Sequence, residues 1–114
     1  MRAMQRFQAL GRLKAGTMNK TEAEYATMLE LRKRAGDIAW FAFEPFKIRL
    51  ADRTFYDVDF GVMLANGRLE VHEVKGGFIT DDGRVKLKVA AEHFPAQFYL
   101  CQKSKGAWHV EALP

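Results

Sequence analysis

The chain has 114 residues, 48% of them hydrophobic and 12% aromatic, enough for one domain with a real core and too apolar for a disordered chain. No window reaches the roughly 20 continuous apolar residues of a membrane span and no signal peptide is visible, so a cytoplasmic protein is expected. The formal charge of +4 is unevenly spread: Arg2, Arg6, Arg12, Lys14 and Lys20 all precede the first acid, Glu22, and beyond it bases and acids nearly balance.

Residues 1–20 therefore read as a basic arm and 21–114 as the core domain. Such an arm suits a polyanion, with nucleic acid ahead of a membrane surface. Met1, Met4, Phe7 and Leu10 recur at helical spacing, so the arm also fits an amphipathic helix docked on the core or on a partner. The clearest helix follows in "NKTEAEYATMLELRKRAG". Thr21 with Glu24 makes a capping box, Asn19 with Glu22 serves almost as well, and Gly36 supplies the stop. "IAWFAF" and "FKIRL" are short strands separated by Pro45. "TFYDVDFGVML" and "RLEVHEVK" flank "ANG", a strong hairpin signal.

Gly76 and Gly77 break the second arm of that hairpin, and "ITDDG" reads as a loop. "RVKLKVAAEHF" has a helical period, and "QFYLC" and "AWHVEAL" end the chain as strands around "KSKG". The aromatic residues Trp40, Phe41, Phe43, Phe46, Phe60 and Phe98 are assigned to the core, and Cys101 to a buried thiol with no disulfide partner. Taken as a core order α-β-β-β-α-β-β, these segments imply a mixed sheet with helices packed on it, an α+β arrangement.

The chemistry concentrates on the hairpin. Leu69, Val71, Glu73 and Lys75 share one strand face, so two core residues are followed by an acid and a base. A two-residue turn at Asn66-Gly67 pairs Ala65 with Arg68 and sets Asp59 opposite Val74, away from Glu73. A three-residue loop, Ala65-Asn66-Gly67, pairs Leu64 with Arg68 and sets Asp59 opposite Glu73. Hydrophobic matching slightly favours the first register. The second makes a hard, oxygen-rich pair suited to Mg²⁺ or Mn²⁺, and it is the one expected here. Lys75, on the face of Glu73, would offset residual negative charge or stabilise a phosphorane-like transition state. His72 faces the other way and is read as structural, and the histidines show no zinc spacing with Cys101.

"FYDVDFGVML" and "GRLEVHEVKGGF" together resemble the core of the PD-(D/E)XK nuclease superfamily. With "NKTEAEYATMLE" and "DDGRVKLK" added, the resemblance extends from Asn19 to Leu100. More specifically, these segments resemble an uncharacterised phage and prophage family of predicted endonucleases, and also phage endonuclease I, a Holliday-junction resolvase. One departure is that the family's proline before the motif aspartate is Val58 here.

The resemblance implies a restriction-endonuclease-like fold and a Mg²⁺-dependent (or Mn²⁺-dependent) endonuclease acting on DNA, with branched DNA as a candidate substrate. Asp59 and Glu73 would be metal ligands, Glu22 would complete their shell and Lys75 would be the catalytic lysine. Asp57 lies close by, but Asp59 is preferred because the apolar run from Phe60 begins beside it. Arg84 and Lys88, with Lys86 nearby and Lys103 and Lys105 in a loop, would join Arg12, Lys14 and Lys20 in contacting phosphates. Symmetric cutting would call for a homodimer. The competing expectation is a catalytically inactive nuclease-fold protein that binds nucleic acid, or a phage regulatory protein.

Overall fold

A computed structural model of the chain describes residues 16–114; positions 1–15 of the arm, with Arg12 and Lys14, lie outside the described residues, and Lys20 lies within them. The elements are α1 (Lys20–Arg34), β1 (Ile38–Phe43), β2 (Lys47–Ala51), β3 (Thr54–Asp57), β4 (Phe60–Leu64), β5 (Leu69–Lys75), α2 (Asp81–His93), β6 (Gln97–Ser104) and β7 (Ala107–Leu113). It is an α+β fold. A five-stranded mixed sheet runs β1-β4-β5-β6-β7, with β5 and β6 parallel and the other neighbours antiparallel; β2 and β3 form a separate hairpin.

Five strands stand between the two helices, against three in the expected order: the four segments read there are all strands, and Thr54–Leu64 is two of them. The chain changes partner at Val58 and Asp59. Val58 N–H donates to Phe46 O at 3.2 Å, the last rung toward β2, and Asp59 O accepts from Glu44 N–H at 2.8 Å, the first toward β1. The hydrophobic pattern dictates the switch. Val58 is wholly buried in the cluster beneath α2, and Phe60 is wholly buried in the cluster beneath α1.

Those two clusters are the two faces of the sheet. Val71, Phe98 and Leu100 pack with Leu87 and Ala90 of α2 and with Ile48 and Tyr56 of the small hairpin. Val74, Cys101 and Val62 pack with Tyr25 and Leu29 of α1. Leu100 and Cys101 are neighbours in sequence yet belong to opposite clusters, as the period-two alternation of a strand demands. At about 25 cal/mol per Å² of apolar surface, each fully buried Leu or Phe here contributes roughly 1.5–3 kcal/mol. Trp40 departs from the expected core. It is 42% exposed on the edge strand β1, where the register shifts between Ile38 and Trp40.

Both helices begin on side-chain caps. For α1 the box is Asn19–Glu22: Asn19 Oδ1 accepts from Glu22 N–H at 2.8 Å, and Glu22 Oε1 accepts from Asn19 N–H at 2.9 Å. Thr21 and Glu24 lie inside the helix. The helix α2 starts at Asp81, within the segment expected to be a loop, because Thr80 Oγ1 accepts from Gly83 N–H at 3.0 Å and two first-turn acids suit the helix dipole.

Candidate functional site

The β4–β5 connection is the three-residue loop. Leu64 N–H donates to Arg68 O at 2.9 Å, Gly67 N–H donates to Leu64 O at 2.9 Å, and Gly67 has φ +89, a left-handed conformation that glycine takes at no steric cost. Asn66 Oδ1 accepts from Arg68 N–H at 3.0 Å and locks the turn. The ladder then runs Met63 with Leu69, Val62 with Glu70, Gly61 with Val71 and Phe60 with His72. Extended one step beyond its last pair, this register sets Asp59, just outside β4, opposite Glu73.

Glu73 is buried, with only 8% of its surface exposed. One of its oxygens accepts a very short hydrogen bond from the Tyr56 hydroxyl, and the other lies 3.5 Å from Lys75 Nζ. Burial pushes its carboxyl above the usual range, against the pull of Tyr56 and Lys75. Asp59 Oδ2 accepts from Val74 N–H at 2.8 Å. Burial and then the Glu73 charge push the Asp59 carboxyl up to about 8. Glu22 reaches the same cluster from the first turn of α1, its carboxyl raised mainly by burial and further by the charges of Glu44 and Glu73. The four residues expected to act together, Glu22, Asp59, Glu73 and Lys75, are therefore electrostatic neighbours at one end of the sheet.

The closeness of α1 to the end of β5 has a specific cause at Gly76. A Cβ there would lie 2.7 Å from Thr21 Oγ1, so only glycine lets the helix start settle against the strand end. Across the sheet, Tyr25 OH lies 2.6 Å from His72 Nδ1 and 3.2 Å from Cys101 Sγ, and His72 Nε2 lies 2.9 Å from Glu70 Oε1. This chain of polar contacts satisfies the buried His72 and ties α1 to β5 and β6.

Two residues at the site carry no sequence signal of their own. Tyr56 comes from the small hairpin and holds Glu73 from across the core. Glu44 sits just before Pro45 with φ 49, strained for a non-glycine residue and held by its N–H bond to Asp59 O. It lines a cavity of about 350 Å³ with Phe46, Lys47 and Asp57. Asp57 turns outward to Lys47 Nζ at 4.0 Å, so it is Asp59 that faces Glu73.

The described basic residues expected to contact phosphates stand in different settings. Arg84 makes two hydrogen bonds to Glu111, at 3.2 and 3.3 Å, in a part-exposed ion pair. Lys86 lines a groove against Leu50 and Thr54 of the small hairpin, whereas Lys88, two residues on, points elsewhere from the helix. Lys103 is within β6 rather than in a loop and pairs with Glu24 at 2.5 Å. Lys20 is exposed at the start of α1, close to the acidic cluster through its neighbours Thr21 and Glu22.

For a divalent cation the cluster offers two donors rather than a full cage. Among the described residues no three acid, histidine or cysteine side chains come close enough to enclose an ion. Glu22 spends one oxygen on its cap. The half-buried Asp59 and the buried Glu73 do make an adjacent pair of hard oxygen donors whose charges repel. Mg²⁺ keeps several waters and is commonly held by one or two carboxylates, so the pair fits such an ion as a two-carboxylate site. Comparison with protein-family models, curated proteins and solved structures finds no match. Among the described residues no helix is long and apolar enough to cross a membrane.

Proposed function

We propose that the protein is a Mg²⁺-dependent DNA endonuclease of phage or prophage origin, with a branched DNA such as a four-way junction as its expected substrate. The observation that carries this reading is the hairpin register. It sets Asp59 opposite Glu73, with Lys75 3.5 Å from Glu73 and Glu22 approaching from the helix start. Four groups of this kind at one sheet end have a cost for folding, because burial works against both carboxylates. A role in binding a cation and a phosphate accounts for that cost.

A bound Mg²⁺ would supply a water activated as nucleophile and positive charge beside the phosphate. The chain's own residues do the rest. Asp59 and Glu73 would hold the ion, with Glu22 beside them at the start of α1. Tyr56 keeps Glu73 oriented through its hydroxyl, which burial and the Glu73 charge hold protonated far above its ordinary range. Lys75 stands beside Glu73 to hold a phosphate oxygen or the attacking water. Gly77 leaves open backbone close to it.

A second reading has one observation in its favour: both oxygens of Glu73 already have protein partners, Tyr56 and Lys75. On that reading the fold binds nucleic acid without cutting it, or acts as a phage regulator. Incubation with linear, single-stranded and four-way-junction DNA, in Mg²⁺ or EDTA, separates the two. Metal-dependent cutting that is lost in Glu73→Ala and Lys75→Ala is the result expected of the enzyme. Binding without cutting, unchanged by either substitution, would establish the second reading instead. A dimer, expected for symmetric cutting, is tested by light scattering of the same samples.

A further inference from the structure

Lys75 does not end the candidate site. In the sheet register it pairs with Gln102 of β6, and Gln102 pairs with His109 of β7, so the three side chains lie in one row on one face. Neighbouring strands are about 4.8 Å apart, which puts His109 roughly 10 Å from Lys75. Ser104 is two residues beyond Gln102 on the same face. The row opens into a cavity of about 350 Å³ lined by Gly77, Phe78, Gln102, Ser104 and His109. This is within the range of small-ligand pockets.

Phe78 is the anomaly of the row. It is 82% exposed, the most exposed of the large hydrophobic residues among the described residues, and it belongs to neither core cluster. Its loop is nonetheless fixed: Gln102 Nε2 donates to Gly77 O at 3.0 Å, tying the residue before Phe78 to the sheet. The result is an aromatic face held in water, beside a hydroxyl and an imidazole, three residues along the chain from Lys75.

We propose that Phe78, with Gln102, Ser104 and His109, forms a subsite for an unpaired nucleobase of the strand whose phosphate lies at Lys75. This rests on the nucleic-acid reading above and adds what part of the nucleic acid the protein grips. A base stacks on an aromatic ring whatever its identity, and the polar groups of the cavity wall meet its edge. A base within a duplex is stacked on both sides and cannot enter, so the subsite selects unpaired nucleotides near a junction, gap or end.

The test measures binding in EDTA, by fluorescence anisotropy, of three labelled DNAs: a closed duplex, the same duplex with a short single-stranded overhang, and that duplex with an overhang of abasic sugars. The expected result is a preference of about five- to hundred-fold for the overhang with bases over the abasic one. Phe78→Ala should remove that preference and Phe78→Trp should retain it, with closed-duplex binding the same in all three proteins. Because Phe78 is exposed, equal melting temperatures confirm that the variants fold. A base preference that survives Phe78→Ala, or equal binding of base and abasic overhangs by the unaltered protein, overturns the subsite while leaving the nuclease reading standing. No binding to any DNA, in EDTA or Mg²⁺, overturns both.

Discussion

Replacing Asp59 by Asn should stabilise the protein at neutral pH in the absence of divalent cations, although it removes a proposed catalytic group. The carboxyl ordinarily titrates at 3.8 and in the fold is pushed up to about 8 by burial and by Glu73. Between these values the folded state holds a proton that the unfolded chain has released. Stability is therefore full below about pH 4 and is lost progressively as the pH rises toward 8. At 1.36 kcal/mol per unit, the loss reaches about 4 kcal/mol by pH 7, and water entering at the sheet end reduces it, so about 2–4 kcal/mol is expected.

Asparagine keeps an oxygen to accept from Val74 N–H and carries no charge, so the Asp59 share of the pH dependence should vanish, while the raised carboxyls of Glu22 and Glu73 titrate in both proteins. Urea unfolding from pH 5 to pH 8.5 in EDTA tests this, with the gap between the two proteins widening as the pH rises. Millimolar Mg²⁺ at pH 8 should then restore stability to the unaltered protein and not to Asp59→Asn, by ordinary ligand linkage. A variant less stable than the original at pH 7.5 in EDTA, or a gap that does not change with pH, would refute the view of Asp59 as a half-buried, destabilising carboxylate.

Tyr56→Phe leaves a buried carboxylate without its hydroxyl partner and should cost about 1–3 kcal/mol at pH 7 in urea unfolding, with a smaller cost at pH 4 where Glu73 is protonated. Gly76→Ala drives a methyl against Thr21 Oγ1 and should cost about 1–3 kcal/mol. Thr21→Ala in the same chain should recover most of that, a coupling readable in a double-mutant cycle. Arg84→Ala should leave the salt dependence of DNA binding unchanged, because Glu111 already holds its guanidinium. Lys20→Ala should instead make the slope of log affinity against log salt shallower, by about 0.9 for each phosphate that is no longer neutralised.

The parts of the fold legible in the sequence are those set by local chemistry. The helix α1, the strands β1 and β5, and the hairpin with Gly67 in the left-handed conformation follow from caps, alternation and turn residues a few positions apart. Some of what is hidden is local too. Thr80 with Asp81 and Asp82 is an ordinary helix start, obscured because the acids and Gly83 read as a loop. The split of Thr54–Leu64 is not local. Nothing in "TFYDVDFGVML" says that its first half pairs with β2 and its second half with β1; that depends on where Ile48, Leu87 and Phe60 find their cores.

The site divides along the same line. Glu73 and Lys75 are two apart on one strand and read directly as a pair. Asp59 needs a register, and a single side chain decides between the two on offer. With Asn66 Oδ1 accepting from Arg68 N–H, the turn closes as a three-residue loop; a two-residue turn would use Asn66 and Gly67 as its centre and pair Ala65 with Arg68. Hydrophobic matching points the other way only if Val62 and Leu64 need Val71 and Leu69 on their own face. Instead Phe60 and Val62 pack toward α1 with Val74, while Val71 packs toward α2. Both faces of this sheet are core, so a one-residue slip would not expose a hydrophobic face to water. In such a sheet hydrophobicity stops specifying register, and the turn is what carries the information. Asn66 is thus as much a determinant of the carboxylate pair as the carboxylates themselves, although it lies at the far end of the hairpin from them.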